Sequence, residues 1–327
     1  MFGREKKAHD VIGIHVGRTS LTIARIVKPS GPVEVRQLFR TALPRALSAW
    51  PMDLVRAALV EARKQVTLKA ERIHLTLPSD LAPSYFFVVP SLKGEQLDNA
   101  VKLQLENKWG NQCGELSYQF QMLEKRGEQY RMFAASMPLE RLRLVVSSFA
   151  EINCPIDLVE VEGVSVVNLV SALVSGNSPV AVLHLCSSWG EIHVLRRDRV
   201  ALSRPITRLE SDSGRPEGGD APPAEAESKP DDPAAVLGSA YLERICREAN
   251  KTLDYFEIEL LSPAVERLFL IGEAASAPGL ADLLARQLEL KVEILDTGDA
   301  VSDSTGHYEP TRHGLAVAVA AGEGGIK

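Results

Sequence analysis

Residues 11–23, VIGIHVGRTSLTI, decide the fold that the sequence predicts. Apolar residues stand on both sides of a Gly-Arg-Thr-Ser turn, which is the pattern of two short strands in a hairpin. A glycine in such a turn lets a phosphate approach the backbone closely. The position before the turn, where a phosphate-binding hairpin is expected to have a metal-facing carboxylate, holds His15. The stretch is therefore an ATP site, a damaged ATP site or only a hairpin.

The composition is that of a folded protein and excludes several classes. The chain has 327 residues, enough for two domains or for one domain with an insertion. A formal charge of −6 argues against sequence-independent binding of nucleic acid, which needs a basic surface. No stretch approaches the roughly 18 apolar residues that a membrane-spanning helix needs. The cysteines are scattered and predict reduced thiols in a cytosolic protein, and the histidines and cysteines predict no metal site.

Strands and helices alternate along the chain, which predicts a layered α/β fold. Residues 1–83, joined by 156–177, form a first predicted unit that opens on a three-strand meander. Residues 84–155 have a β-α-β-β-α pattern and are predicted to be an inserted subdomain. The opening pattern recurs from residue 178, so residues 178–327 are predicted to duplicate the first unit. Residues 210–235, rich in Pro, Gly, Ala, Ser and acid, are predicted to be a disordered surface loop.

Several stretches resemble one known family. They are residues 181–206, AVLHLCSSWGEIHVLRRDRVALSRPI; residues 249–256, ANKTLDYF; and residues 270–288, LIGEAASAPGLADLLARQL, followed by VEILD. With the two meanders and the inserted unit, the whole chain resembles the type IV pilus assembly protein PilM, of the actin-like ATPase superfamily and close to FtsA. The resemblance implies duplicated actin-like (ribonuclease H-like) subdomains with a nucleotide cleft between them. The alternative relative is the cytoplasmic part of the secretion protein GspL.

The resemblance also implies a place in the cell and a set of partners. Members of the family lie in the cytoplasm at the inner membrane and hold the cytoplasmic tail of the membrane protein PilN. The groove lies between the first subdomain and the inserted one. Further implied partners are copies of the same chain in a ring-like platform and the pilus motor ATPase, and nucleic acid is not among them. Trp109 stands where the family has an aromatic residue before Ile-Pro-Phe-Pro, and is either a groove anchor or a core residue.

The first phosphate motif of the family, Asp-Ile-Gly-x-x-Ser-x-Lys, departs here to HVGRTSLT, residues 15–22. His15 replaces the Asp that positions Mg²⁺ or its water, and imidazole is a poor ligand for this hard cation. Arg18 is either a new phosphate partner or a solvated turn residue. The candidate contacts that remain are Gly17, Arg18, Thr19 and Ser20.

The second phosphate motif and the adenosine motif depart as well. In residues 184–190, HLCSSWG, His184 replaces Asp and a cysteine replaces the close-approach glycine; the remaining candidates are Ser187, Ser188 and Gly190. In residues 272–280, GEAASAPGL, Gly272 and Gly279 are kept. Glu273 replaces the second glycine of the adenosine motif and would repel phosphate.

Three departures at positions that touch phosphate or metal predict a vestigial nucleotide cleft. We therefore expect no catalytic residue, no bound metal, no required ATP or Mg²⁺, and no ATP hydrolysis. The predicted function is a scaffold of the pilus or a related secretion platform. The alternatives are a divergent ATPase that switches or polymerises with ATP, and a His15–His184 pair across the cleft that binds a soft metal. A sugar or acetate kinase is disfavoured, because neither Asp157 nor Asp198 is a convincing base.

Overall fold

The computed structural model describes most of the chain. The described residues are 9–28, 32–43, 52–79, 81–110, 115–170, 178–186, 189–196, 199–207, 233, 237–260 and 262–322. The predicted loop 210–235 lies outside them apart from residue 233, as do Ser187 and Ser188. The described residues belong to two units, the first with residues 1–175, 297–309 and 313–327, and the second with residues 176–296 and 310–312.

Strands and helices alternate as the sequence predicts, and the short strand β14 is an element that the sequence pattern does not predict. The strands are β1 (His9–Val16), β2 (Ser20–Lys28), β3 (Val33–Ala42), β4 (Arg72–Leu77), β5 (Ser84–Pro90), β6 (Leu116–Arg126), β7 (Gln129–Pro138), β8 (Leu158–Val161), β9 (Val180–Leu185), β10 (Trp189–Leu195), β11 (Val200–Thr207), β12 (Arg267–Ile271), β13 (Lys291–Ile294) and β14 (Val301–Asp303). The helices are α1 (Met52–Ala62), α2 (Glu95–Trp109), α3 (Leu139–Glu151), α4 (Glu162–Val170), α5 (Ser239–Ile258), α6 (Leu280–Leu288) and α7 (Pro310–Ala321).

The first unit is built on a sheet with the strand order β14-β3-β2-β1-β4-β8. Strands β1, β2 and β3 form an antiparallel meander, and β4 and β8 extend it in parallel with β1. Successive residues of a strand point to opposite faces. Ile12 and Ile14 therefore share one face, where they pack in a core that includes Leu59 of α1 and Phe149 of α3.

The other face of this sheet lies directly against α7. A Cβ at Gly13 would stand 1.9 Å from the carbonyl oxygen of Ala316 and 2.8 Å from the Cβ of Ala320. The small residues of α7 and the missing side chain of Gly13 thus let helix and strand approach closely. His74 of β4 is also buried on this face, and its Nδ1–H donates to the carbonyl of Val319 at 2.9 Å.

The inserted segment forms a second, smaller sheet within the first unit, as its β-α-β-β-α pattern predicts. Its strand order is β5-β7-β6, fully antiparallel, and β6 and β7 form the expected hairpin. Helix α2 covers one face through Val101 and Leu105, which pack against Met132 and Ala134 of β7. The helix ends at Gly110, whose φ of 78° suits a glycine.

The second unit repeats the pattern of the first. Its strand order is β11-β10-β9-β12-β13, a meander extended by two parallel strands. Its core joins residues such as Leu183 and Ile192 of the sheet to Tyr241 and Ile245 of α5 and Leu284 of α6. The same order of strand directions in both units agrees with the predicted duplication.

The end of the chain departs from the predicted division. Residues 178–327 were expected in one subdomain, but 297–309 and 313–327 group with the first unit. The physical reason is that β14 pairs in parallel with β3, from Val301 opposite Val33 to Asp303 opposite Val35, and α7 packs on Gly13. In the described part of the chain, no helix combines the length and apolar character that crossing a bilayer requires.

Candidate functional site

The β1–β2 hairpin of the first unit has the tight turn that the sequence predicts. His15 lies opposite Thr22 in the strand register. The N–H of Gly17 donates to the carbonyl of Ser20 at 2.8 Å, and the carbonyl of Thr19 accepts from the N–H of Leu43 at 2.8 Å. The turn is therefore held to its own strands and to the end of β3.

The imidazole of His15 lies between this turn and the start of α4. Its Nε2–H donates to Oε1 of Glu162 at 3.2 Å, and both side chains are buried. A Cβ placed on Gly17 would be only 3.3 Å from Cε1 of His15 and 3.5 Å from its Nε2. The ring therefore fills the space beside Gly17, the glycine that was predicted to let a phosphate approach.

A second buried polar link joins α4 to the same sheet. The hydroxyl of Ser165 lies 2.9 Å from that of Thr76 and 2.6 Å from Oε2 of Glu160. Since a carboxylate only accepts, Ser165 donates to Glu160 and accepts from Thr76. Asn168 donates to the other carboxylate oxygen of Glu160 at 3.1 Å. Thr76 lies beside His15 in the register of β1 and β4, so the two links are neighbours.

A magnesium ion does not fit the residues at this hairpin. Mg²⁺ takes oxygen ligands in octahedral geometry. The hairpin offers an imidazole at position 15, and that imidazole already donates to a carboxylate oxygen of Glu162. The described residues also contain no group of three or more His, Cys, Asp or Glu side chains arranged to hold a metal ion.

Buried side chains pack tightly around the corresponding hairpin of the second unit. The N–H of Cys186 donates to the carbonyl of Trp189 at 2.7 Å. The rings of His184 and Trp189 are both buried and meet edge to face, with centroids 5.4 Å apart and an interplanar angle of 89°. Gly190 belongs to β10, and a Cβ there would stand 2.7 Å from Cδ2 of Leu185. The structure thus gives Trp189 and Gly190 packing roles.

The adenosine-type motif lies against this second hairpin. Gly272 has a φ of 95°, and a Cβ on it would be 2.2 Å from the carbonyl oxygen of Leu185 and 2.6 Å from Cδ2 of His184. The carbonyl of Leu185 also accepts from the N–H of Ala274 at 3.1 Å. The structure therefore brings Gly272 and His184 into contact.

The other predicted residues of the two units are placed as follows. Arg18, Thr19 and Glu273 are half-buried, Ser20 is buried, and Gly279 is an exposed N-cap of α6 with a φ of 70°. His15 and His184 belong to different units, and a pair between them stays a prediction.

Trp109, the last residue of α2, joins two cores. Its ring packs against the cluster of the inserted sheet and against the cluster of the first sheet. Its Nε1–H donates to the hydroxyl of Ser136 at 2.8 Å, and the guanidinium of Arg141 lies 6.0 Å from the ring centroid. The structure supports the core interpretation, and the ring marks the junction of the first sheet with the inserted one.

Glu162 is the residue that sequence reasoning missed. It is only 1% exposed, and it lies 147 residues from His15 in the chain. Nothing local in the sequence links the two. One feature could have drawn attention to it: it is the single charged residue in the apolar helix EGVSVVNLV.

Neither a protein-family model nor a curated protein sequence matches this chain. Among solved structures, a chain of the PilM–PilN type IV pilus biogenesis complex matches 97% of this chain and 98% of its own length, with a TM-score of 0.73 and 19% identity. The chain has the actin-like ATPase fold.

Two further solved structures match at lower TM-scores. A Bacteroides thetaiotaomicron protein with an actin-like ATPase fold and unknown function matches with a TM-score of 0.48 and 11% identity, over 95% of this chain and 96% of its own. The cytoplasmic domain of EpsL, an inner-membrane component of the Vibrio cholerae type II secretion system, matches with a TM-score of 0.44 and 9% identity, over 93% and 87%.

Proposed function

We propose that this chain is a scaffold of the assembly platform of a type IV pilus or a related secretion machine, and that it binds the cytoplasmic tail of a PilN-like membrane protein. The observation that supports the proposal is the match in fold to a chain of the PilM–PilN complex over 97% of the sequence. A match of that extent includes the inserted sheet as well as the two duplicated units. Binding the tail would keep the chain in the cytoplasm at the inner membrane, where its own copies and the pilus motor ATPase are further proposed partners.

The proposed docking region is the junction marked by Trp109. The first sheet and the inserted sheet belong to one unit, and the Trp109 ring packs against the cores of both. A peptide bound at this junction would contact surfaces whose spacing Trp109 fixes. Because Trp109 is a packing residue here, its contribution to binding would come from holding the two surfaces in place.

We also propose that the scaffold works without hydrolysing ATP. Phosphoryl transfer depends on positioned charge around the phosphates and the metal. Here the His15 imidazole fills the space beside Gly17 and is bound to Glu162, and a carboxylate at Glu273 stands in the adenosine motif. These features favour a fold that has kept the architecture of an ATPase and lost its chemistry.

Binding of the partner is tested by calorimetric titration of the full chain with a synthetic peptide of the cytoplasmic tail of the PilN homologue from the same organism. We expect saturable binding that a scrambled peptide does not show. Trp109→Ala, shown by circular dichroism to be folded at the assay temperature, should weaken it at least tenfold, whereas Ile258→Ala, which truncates an exposed apolar side chain of the second unit, should not. A tail peptide that gives no heat at high micromolar concentration would contradict the proposal.

The absence of ATPase chemistry is tested by titrating the same protein with ATP and Mg²⁺. We expect no Mg²⁺-dependent heat and no release of phosphate. Micromolar, Mg²⁺-dependent binding followed by turnover would instead show a divergent ATPase that switches or polymerises with nucleotide. The double variant His15→Asp, His184→Asp is the comparison, since it returns a carboxylate to both phosphate motifs.

A further inference from the structure

The carboxylate of Glu162 lies in a place where a negative charge is costly. The residue is 1% exposed and begins α4, whose other residues are apolar or small and polar. A buried carboxylate is stable only when hydrogen bonds or a positive charge replace the water that it loses. The amino end of α4 supplies part of this through its helix dipole, which favours a negative charge in the first turn.

His15 supplies a specific partner. Its Nε2–H donates to Oε1 of Glu162 at 3.2 Å from the opposite side of the interface between the sheet and α4. The ring is itself only 6% exposed, and it is confined by Gly17 on its Cε1 side. The imidazole and the carboxylate are thus held face to face by β1, its turn and α4.

We infer that the His15 imidazole stabilises the buried Glu162 carboxylate as a bound cation would, so that this carboxylate needs no metal ion. The inference rests on the proposed loss of nucleotide chemistry and explains what the histidine contributes in exchange. It stabilises a buried carboxylate through an internal donor rather than through a bound ion. It also links β1 to α4, next to the Thr76–Ser165–Glu160 link.

This inference predicts that a cation requirement can be created by one substitution. In His15→Asp the donor disappears and a second carboxylate faces Glu162 across a buried interface. Two carboxylates in such proximity repel each other unless a proton or a cation is shared between them. Oxygen ligands of this kind are those that Mg²⁺ prefers.

The test is thermal unfolding of the full chain with and without millimolar MgCl₂, at an ionic strength matched with KCl. For the natural chain we expect no specific effect of Mg²⁺ on the midpoint. For His15→Asp we expect a midpoint several degrees below that of the natural chain. MgCl₂ should restore at least half of this fall. In His15→Asp, Glu162→Gln the restoration should disappear. The inference would be overturned if MgCl₂ raised the midpoint of the natural chain as much as that of His15→Asp. It would also be overturned if folded His15→Asp did not respond to MgCl₂.

Two further variants keep the inference testable. His74→Asp also replaces a buried histidine of the same sheet, but its partner is the carbonyl of Val319, so its loss of stability should not respond to MgCl₂. If His15→Asp does not fold in either buffer, His15→Leu is compared in the natural and Glu162→Gln backgrounds. His15→Leu should lower the midpoint at most half as much in the Glu162→Gln background as in the natural one, because the buried carboxylate is gone. Equal falls would overturn the inference.

This experiment is independent of the proposed function. It uses neither nucleotide nor partner peptide, and it reads only the stability of the first unit. A chain that binds no PilN-like tail can still show the created cation requirement. A chain that binds the tail but shows no such requirement refutes this inference alone.

Discussion

Gly272 occupies a position in the second unit where no side chain fits. Its φ of 95° is a conformation that glycine adopts readily, and a Cβ would be 2.2 Å from the carbonyl oxygen of Leu185. The glycine therefore persists for packing reasons, whether or not a nucleotide binds.

Gly272→Ala should lower the free energy of unfolding by about 3 kcal/mol, since the strain of a left-handed residue adds to a backbone clash. Gly306→Ala is the matched control, because its φ is 74° but nothing lies within 4 Å of its Cβ position. It should cost only about 1–2 kcal/mol. Urea denaturation of both variants measures the difference, and equal losses would show that the contact with Leu185 is unimportant.

Burial makes one thiol of the first unit inert. Cys154 is fully buried, and the loss of solvent raises the pKa of its thiol to about 11, against a small lowering by Arg63. Only about one thiol in a thousand would be ionised at pH 8 at that pKa.

Alkylation by iodoacetamide at pH 8, followed by peptide mapping, should therefore label half-buried Cys246 much faster than Cys154. Urea should remove the difference, because an unfolded thiol regains an ordinary pKa and full access. Raising the pH should speed labelling of native Cys154 up to about pH 11, as its thiolate forms. Equal native rates at pH 8 would contradict the assigned burial.

At the scale of elements, α4 is held to the first sheet by polar links as well as by apolar packing. Ser165→Ala removes the hydroxyl that joins Thr76 to Glu160. Leaving the half-buried Glu160 carboxylate with one fewer donor should cost about 1–3 kcal/mol. Ser147→Ala in α3 is the control, because that exposed hydroxyl donates only to the carbonyl of Leu144 and its loss should cost less than about 0.5 kcal/mol. Chemical denaturation measures the free energy of unfolding of both variants. Equal losses would contradict the role assigned to the Ser165 hydroxyl.

The elements that the sequence predicts well are those with strong local patterns. The two meanders and the β5–α2–β6–β7–α3 insertion follow from period-two alternation, turn residues and helix ends. Strand β14 could not be predicted in the same way, because it has only three residues, VSD, and pairs with β3 far earlier in the chain. Pairings over such distances leave no trace in a short window of sequence.

The residues of the candidate site likewise fall into those that a local motif predicts and one that only the packed structure reveals. The hairpin residues Gly17 and His15, and the turn at Gly272, were found because their motifs are continuous in the chain. Glu162 was not found, since its relation to His15 exists only once β1 and α4 are packed together. The departures from the family pattern predicted that the hairpin had changed, and only the structure shows what the new histidine contacts.

At the scale of the whole molecule, the chain completes the first unit with its last segment. After the second unit, residues 297–309 and 313–327 return to the first, where β14 extends the sheet and α7 covers Gly13. Residues 313 to 321 of α7 are all buried. The first unit is therefore unfinished until residue 321 has been synthesised.

Truncation after residue 296 should consequently destabilise the first unit far more than the second. The first would lose a strand and a buried helix, whereas the second would lose only residues 310–312, whose Thr311 carbonyl accepts from the N–H of Gly272. Hydrogen exchange followed by mass spectrometry should show rapid exchange in peptides from β1 and β4, and retained protection in peptides from β9 and β12. Should β1 and β4 stay as protected as in the full chain, α7 would not be needed to cover their sheet, and the contact at Gly13 would have little energetic weight.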